Sequence, residues 1–323
     1  MVNKIIVTGS SGLIGQAMFQ FIKEKKLTQN YHLIPLSSKD CNLENWEETI
    51  VWFQNHSDDC DIVIHLAASV GGLYKNVNEN TGMFEKNIKI NMNVLKAVHQ
   101  SGITRMISCL STCIFPDEIR QYPITEEMLH HGPPHFSNQG YAYAKRMLEV
   151  QTRMFNEQYN TNYICIIPTN VYGMFDNFSL ENGHVIPSLI HQCYLAKKEN
   201  RTFPVKGSGK PLRQFIFNMD IAEIIFHFIE NNYKENTNII LSTDPKDEIS
   251  IHDVALEIAK CFDFDSNQIC FDSNYIDGQF QKTVSNERLK KILLNSNFKF
   301  TCFTKGIEKT IQWFIQNVET CRK

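Results

Sequence analysis

The stretch Lys4-Ile5-Ile6-Val7-Thr8-Gly9-Ser10-Ser11-Gly12-Leu13-Ile14-Gly15 constrains the fold of this chain more than any other. Its apolar, β-branched opening predicts a buried strand, and glycines at positions 9, 12 and 15 follow at once. Leu13, Ile14, Ala17, Met18, Phe21 and Ile22 then recur at helical spacing. A strand, a glycine turn and a helix start, in that order, make a phosphate site. Backbone N–H groups at a helix N-terminus point outward without partners, and the helix dipole favours an anion there. A side chain in the turn would hold a pyrophosphate off the backbone, which is why glycine is needed. Gly9, Ser10, Ser11, Gly12, Leu13, Ile14 and Gly15 are therefore the expected cradle for a dinucleotide. An ordinary tight turn would account for one glycine triplet taken alone.

The chain continues in alternation. His32 to Leu36 reads as a second strand, Trp46 to Asn55 as a helix, and Asp61 to Ala67 as a third strand. Asn87 to Gln100 reads as a helix, Arg105 to Ser111 as a fourth strand, Tyr141 to Tyr159 as a long helix and Tyr163 to Ile167 as a fifth strand. This order predicts an α/β fold, a Rossmann-like doubly wound parallel sheet covered by helices, with a smaller C-terminal substrate domain. The expected boundaries are 1–170 for the dinucleotide-binding domain, with 214–235 returning to it, and 171–323 for the substrate domain. Beyond Pro168, segments rich in Asn, Gly and Pro mix with short helices.

The end of the second strand carries Ser37, Ser38 and Lys39. A site for NAD places a carboxylate there to hold the ribose 2′-hydroxyl. Hydroxyls and a cation suit a 2′-phosphate instead, so NADP is the expected cofactor, with Asp40 toward the adenine end. A polar strand-to-helix turn would explain the same residues without a ligand. After the third strand, Leu66-Ala67-Ala68 and the small residues beyond them leave room for a cofactor to approach. His65, inside an apolar run, reads as a hydrogen-bonded core histidine.

Composition narrows the partners. With 323 residues and a formal net charge of -3, nothing points to nucleic acid or an anionic membrane surface. No apolar run approaches the roughly 18 residues a membrane span needs. The amino terminus enters a strand at once, so no signal peptide is expected. The 10 cysteines are scattered without a Cys-x-x-Cys pair, which suits reduced thiols in the cytoplasm.

In an open parallel sheet, ligands gather at the carboxyl ends of the strands. Ser111-Thr112-Cys113 follows the fourth strand, so a hydroxyl and a thiol are expected to face the cleft. Tyr141 and Lys145 are four apart in a helix, on one face. A cation beside a phenol favours phenolate, so Tyr141 is expected to have a lowered pKa and to pass a proton to a carbonyl oxygen as hydride arrives. Tyr143 lacks that spacing to Lys145. Cys113 sits near enough to Ser111 to reach the same substrate, and His184 stands where a loop gives way to a helix. A thiol and an imidazole on opposite sides of a sugar ring could exchange protons beside a ketone, inverting its neighbours. Taken singly, a cysteine is usually core and a loop histidine usually solvated.

Thr8-Gly9-x-x-Gly12-x-x-Gly15 and the set Ser111, Tyr141, Lys145 resemble the extended short-chain dehydrogenase/reductases. Ser111-Thr112-Cys113-Ile114-Phe115-Pro116, Pro168-Thr169-Asn170-Val171-Tyr172-Gly173, Asp176-Asn177-Phe178 and Gly183-His184-Val185-Ile186-Pro187 resemble the GDP-L-fucose synthase family within them. Val70-Gly71-Gly72-Leu73 and Asp277-Gly278-Gln279-Phe280 extend the likeness. The resemblance implies NADPH-dependent 3,5-epimerisation and 4-keto reduction of GDP-4-dehydro-6-deoxy-D-mannose to GDP-L-fucose. It makes Ser111, Tyr141 and Lys145 the reductase triad, Cys113 the epimerisation base and His184 the acid, which also lies against the cofactor. Pro168, Thr169, Asn170 and Val171 would run along the cofactor. Arg213 would meet the GDP diphosphate, with Asn170, Gln192, Lys206 and Asp277 completing the substrate set. Lys206 stands where relatives often carry tryptophan, and Gln192 where a basic residue is usual. A homodimer through the helices flanking the sheet is implied as well.

Other readings make different demands. A 4,6-dehydratase of this fold needs acid and base near C5 and C6, usually Asp-Glu, where this chain has Thr112-Cys113. A 4-epimerase has no use for Cys113 and His184. A non-catalytic NADP-binding sensor often loses the tyrosine or lysine kept here. His130, His131 and His135 lie in a Pro-rich loop without metal-site spacing, so no metal is expected.

Overall fold

Residues 3–235, 237–275 and 277–323 are described in a computed structural model, the side chains of 73–75 excepted, so the side chain of the Leu73 quoted above lies outside the description. The first half of the chain alternates as β1 (Asn3–Thr8), α1 (Leu13–Glu24), β2 (Tyr31–Leu36), α2 (Trp46–His56), β3 (Cys60–His65), α3 (Leu73–Asn78), α4 (Asn80–Gln100), β4 (Arg105–Cys109), α5 (Gln139–Tyr159) and β5 (Asn162–Pro168). There follow β6 (Asn170–Tyr172), α6 (Val185–Glu199), β7 (Phe203–Lys206), β8 (Leu212–Arg213), β9 (Phe215–Phe217), α7 (Asn218–Glu230) and β10 (Asn238–Leu241). The last elements are β11 (Ile249–Ser250), α8 (Ile251–Cys261), β12 (Ile269–Asp272), α9 (Glu287–Leu293) and α10 (Phe303–Gln316).

Ile5, Ile6 and Val7 are wholly buried in β1, as an interior strand covered on both faces requires. The strands form a six-stranded sheet in the order β10-β5-β4-β3-β1-β2. From β2 through β5 each neighbouring pair is parallel. β1 lies between β2 and β3, so the strand order reverses beside it and opens a crevice at its carboxyl end. This is the Rossmann-like doubly wound α/β sheet the alternation predicted.

Two compact units divide the chain. The first comprises 1–118, 126–168 and 221–239, and the second 119–125, 169–220 and 240–323. The returning stretch is thus 221–239, and the short segment 119–125 groups with the second unit. Within the first unit the return is held by aromatic packing. Phe226 stacks on Phe21 with ring centroids 5.2 Å apart, and the Tyr31 hydroxyl donates to Glu230 Oε1 at 2.9 Å.

The second unit has its own core. Phe178, Ile190, Phe203, Phe217, Ile258 and Phe314 are buried together. Phe178 stacks on Phe314 at 4.6 Å between centroids. Its strands are short: β6 pairs with β9 and β7 with β12, both parallel, and β8 with β11 antiparallel. Among the described residues, no helix is long and apolar enough to cross a membrane.

Candidate active site

The glycine turn lies against two neighbouring strand ends. Ser10 N–H donates to the Leu36 carbonyl at 3.3 Å, at the end of β2. On the other side a Cβ on Gly9 would stand 2.7 Å from Ala67 N and 2.8 Å from the Leu66 carbonyl carbon, and Gly9 has φ +69°. Both the left-handed backbone and the close approach of β3 exclude a side chain there. A Cβ on Gly15 would meet the Ser10 carbonyl oxygen at 2.6 Å, so α1 can start directly under the turn. Gly12 caps α1 without any side-chain hydrogen bond. Ser11 is exposed, and Gly12, Leu13 and Ile14 are half-buried. A backbone pressed this close, at the uncapped N-terminus of a twelve-residue helix, fits a pyrophosphate. Leu66, Ala67 and Ala68 are half-buried beside it.

At the end of β2, Ser38 and Lys39 are exposed. Asp40 is engaged locally: its Oδ2 accepts from Ser37 N–H at 2.8 Å and from Ser37 Oγ at 2.6 Å. Those bonds hold the carboxyl below its ordinary range. Asp40 therefore shapes the turn that presents Ser38 and Lys39.

A buried relay ties the glycine turn to the helix bearing Tyr141. Asn91 Nδ2 donates to the Ala144 carbonyl at 3.3 Å, which turns its Oδ1 toward His65 Nε2 at 3.1 Å. His65 Nε2 then carries the proton, and Nδ1 accepts from Thr8 Oγ1 at 2.8 Å. Thr8 Oγ1 in turn accepts from Ala67 N–H at 3.2 Å. Burial pushes His65 down to about 3, so it stays neutral. The expected core histidine is indeed hydrogen-bonded, but its two partners, on β1 and α4, are ones that sequence spacing could not connect.

β4 stops at Cys109, two residues earlier than the pattern suggested, because Ser111 begins a tight 3₁₀ turn, Thr112–Ile114. Ser111 Oγ accepts from Cys113 N–H at 3.4 Å, so hydroxyl and thiol share one turn. Cys113 is only 7% exposed. α5 brings up Tyr141 and Lys145, and its start is pinned where Gly140 N–H donates to Asn80 Oδ1 at 2.6 Å. Lys145 Nζ lies 5.8 Å from the Tyr141 ring centroid and donates to the Cys109 carbonyl at 2.7 Å. In the first unit, then, Ser111, Cys113, Tyr141 and Lys145 gather at the carboxyl end of β4.

One electrostatic expectation is corrected here. The Tyr141 phenol lies well above its ordinary value, not below it, because burial dominates and negative charge on Cys113 or Cys109 adds to the rise. Burial likewise lowers Lys145 from its ordinary value. A phenol held this way keeps its proton at neutral pH and is a proton donor, as reduction of a ketone requires.

Spacing also passed over Arg146, on the same helix. It is 5% exposed, and its Nε donates to the Ile114 carbonyl at 2.6 Å. Only its charge in an apolar stretch could have marked it.

In the second unit, His184 is the N-cap residue of α6, but its side chain makes no cap hydrogen bond. The ring is exposed yet closely surrounded, and that crowding, with the Arg322 cation, lowers its pKa. Pro168 closes β5, and Thr169 N–H donates to the Leu241 carbonyl at 3.0 Å. Asn170 Nδ2 donates to the Gln214 carbonyl at 2.9 Å, and Val171 pairs with Ile216 in the sheet. Arg213 and Asp277 come together. A Cβ on Gly278 would stand 3.3 Å from Arg213 Nη2, and Asp277 accepts from Ser208 N–H at 2.9 Å and Ser208 Oγ at 2.6 Å. Burial lowers Arg213, opposed by Glu248, Asp277 and Tyr122. Lys206 Nζ lies 5.2 Å from the Tyr275 ring, and Gln192 is half-buried on α6. His130 is used by Glu149 at 2.9 Å and His135 by Ser137 at 2.7 Å.

A parallel sheet with a glycine turn at its switch point and a Ser, Tyr, Lys group at the next strand end defines a nucleotide-dependent enzyme of the short-chain class. The chain belongs to the NAD dependent epimerase/dehydratase family, whose model matches residues 5–241. It is 45% identical over 319 residues to the GDP-L-fucose synthase of Dictyostelium discoideum, covering 99% of this chain and 97% of that one. It is 41% identical to a probable GDP-L-fucose synthase of Drosophila melanogaster, covering 99% of both. The crystal structure of a GDP-L-fucose synthetase from Naegleria fowleri bound to NADP superposes with a TM-score of 0.91 at 42% identity, over 99% of this chain and 95% of that one.

Proposed function

We propose that this chain converts GDP-4-dehydro-6-deoxy-D-mannose to GDP-L-fucose, using NADPH. The carrying observation is the gathering of Ser111, Cys113, Tyr141 and Lys145 on one strand end in a chain that matches GDP-L-fucose synthases along nearly its whole length. Most of the cofactor's contacts come from the first unit, and most of the GDP-sugar's from the second. The pyrophosphate sits on Gly9 to Gly15, the 2′-phosphate meets Ser38 and Lys39, and Leu66, Ala67, Ala68 and Pro168 to Val171 line the rest. Asn170, Gln192, Lys206, Arg213 and Asp277 hold the GDP-sugar, Arg213 through the diphosphate.

The Cys113 thiolate removes the proton from C3, and later from C5, leaving an enolate shared with the C4 ketone. His184, protonated for the step, gives a proton to the opposite face and the centre is inverted; before the second inversion Cys113 releases its proton to solvent and His184 takes one up. When bound, NADPH supplies the hydride to C4. Tyr141 gives its proton to the C4 oxygen, Ser111 holds that oxygen by its hydroxyl, and Lys145 keeps positive charge beside the phenol. A second copy of the chain packs on α4 and α5, where Met92, Met147, Met154 and Tyr159 are exposed. The cytoplasm is the proposed compartment, and its support is the scattered spacing of the ten cysteines, which lack a Cys-x-x-Cys pair.

The test is incubation with NADPH and the keto sugar, with the product identified by mass and NMR. GDP-L-fucose is expected. A reduced sugar with C3 and C5 unchanged would leave a plain ketone reductase.

A further inference from the structure

We infer that Arg146 is a positioning residue for the carbon-acid step: its guanidinium holds the turn that carries Cys113 and stabilises the thiolate by its charge. The inference rests on the assignment of Cys113 as the base. Arginine is almost never fully buried without a partner for its charge. Arg146 is 5% exposed, yet among the described residues its side-chain hydrogen bond is to a neutral acceptor, the Ile114 carbonyl, at 2.6 Å from Nε. Nη2 is buried with no hydrogen-bond partner among the described residues. The Tyr143 ring lies 5.6 Å from the guanidinium carbon and leaves that N–H unsatisfied.

The acceptor carbonyl belongs to the residue next to Cys113, in the same 3₁₀ turn, so the guanidinium is fixed on the turn that carries the thiol and feels its charge. Burial alone lowers Arg146, and negative charge on Tyr143 or Cys113 opposes it. The attraction is mutual, so the cation favours the thiolate. Among the described residues, the titratable groups on α5 that feel the Cys113 charge include Tyr141, Lys145 and Arg146. Lys145 Nζ spends one of its three N–H donors on the Cys109 carbonyl, and the buried Arg146 Nη2 has no hydrogen-bond partner among the described residues. A thiol with an ordinary pKa of about 8.5 is mostly protonated at neutral pH, and only the thiolate can take a carbon-bound proton.

The experiment titrates the Cys113 thiolate by ultraviolet absorbance in the full chain, with Cys113→Ser as the blank. In parallel, deuterium exchange into the keto sugar is followed in D2O against pH, without reductant. Arg146→Gln is expected to move the Cys113 titration to higher pH and slow exchange at neutral pH by roughly tenfold, with NADPH binding intact. Arg146→Lys, which restores charge, is expected to recover most of the loss. A Gln variant that titrates like the wild type overturns the inference, and so does a Lys variant as impaired as Gln. The wild type decides if Arg146→Gln fails to fold: a Cys113 that titrates at or above the ordinary thiol value also overturns it. Should exchange survive in Cys113→Ser, the base assignment itself is wrong. Loss of exchange there, with an unshifted Arg146→Gln, sinks the role of Arg146 alone.

Discussion

Replacing Gly9 by alanine tests the cofactor cradle most sharply. The added methyl must adopt φ +69°, where a non-glycine residue costs about 1–2 kcal/mol. It would also stand 2.7 Å from Ala67 N and 2.8 Å from the Leu66 carbonyl carbon, both backbone atoms of the next strand end. Neither can rotate away, so the turn and β3 must part, at about 1–3 kcal/mol. The two penalties are partly relieved by one movement, so the expected loss is about 3 kcal/mol in urea unfolding. That same movement displaces the pyrophosphate seat, so NADPH binding, followed by fluorescence, is expected to weaken at least tenfold. Gly12→Ala is the control: its nearest atom is Gly9 O at 3.1 Å and no positive φ is required, so its cost is distinctly smaller. A Gly9→Ala protein as stable as the wild type and equally able to bind NADPH would refute the reasoning, as would a larger loss of stability from Gly12→Ala.

Other expectations follow from particular groups. Tyr141→Phe is expected to lose roughly 10²–10⁴-fold in reduction while binding NADPH normally, checked by stopped-flow and by titration of cofactor fluorescence. Lys39→Ala, which removes an exposed cation from the end of β2, is expected to cost NADPH about tenfold in affinity and NADH little. Asp176 is 3% exposed with Oδ2 unpartnered among the described residues, and burial raises its carboxyl from 3.8 to about 7. The folded chain therefore holds a proton that the unfolded chain releases, and this stabilisation is complete below pH 3.8 and lost as pH rises through about 7. Asp176→Asn is expected to flatten that slope, gaining a few kcal/mol on the wild type between acid and pH 8 in denaturant unfolding.

The strand, turn and helix at the amino terminus were legible because each signal is local and all agree. Tyr141 and Lys145 were legible for the same reason: four residues in a helix fix a face. The sign of the Tyr141 shift was not, because it depends on how much chain closes over the phenol, and burial outweighs the neighbouring cation. Asp40 was read toward the adenine; that its carboxylate also closes its own turn on Ser37 is a local bond no cofactor argument would reveal. The partners of His65 and the orphaned donor of Arg146 depend on contacts across elements, and so does the grouping of 119–125 with the second unit. The irregular second half hid its core because its strands are two to four residues long and its packing rests on aromatic pairs far apart in sequence.

The central claim is that one site both inverts C3 and C5 and reduces C4, and label incorporation reads it most directly. Turnover of the keto sugar with NADPH in D2O, followed by NMR of the product, should give GDP-L-fucose carrying solvent deuterium at C3 and at C5 and a solvent-free hydrogen at C4. A reduced product without deuterium at either carbon would contradict it.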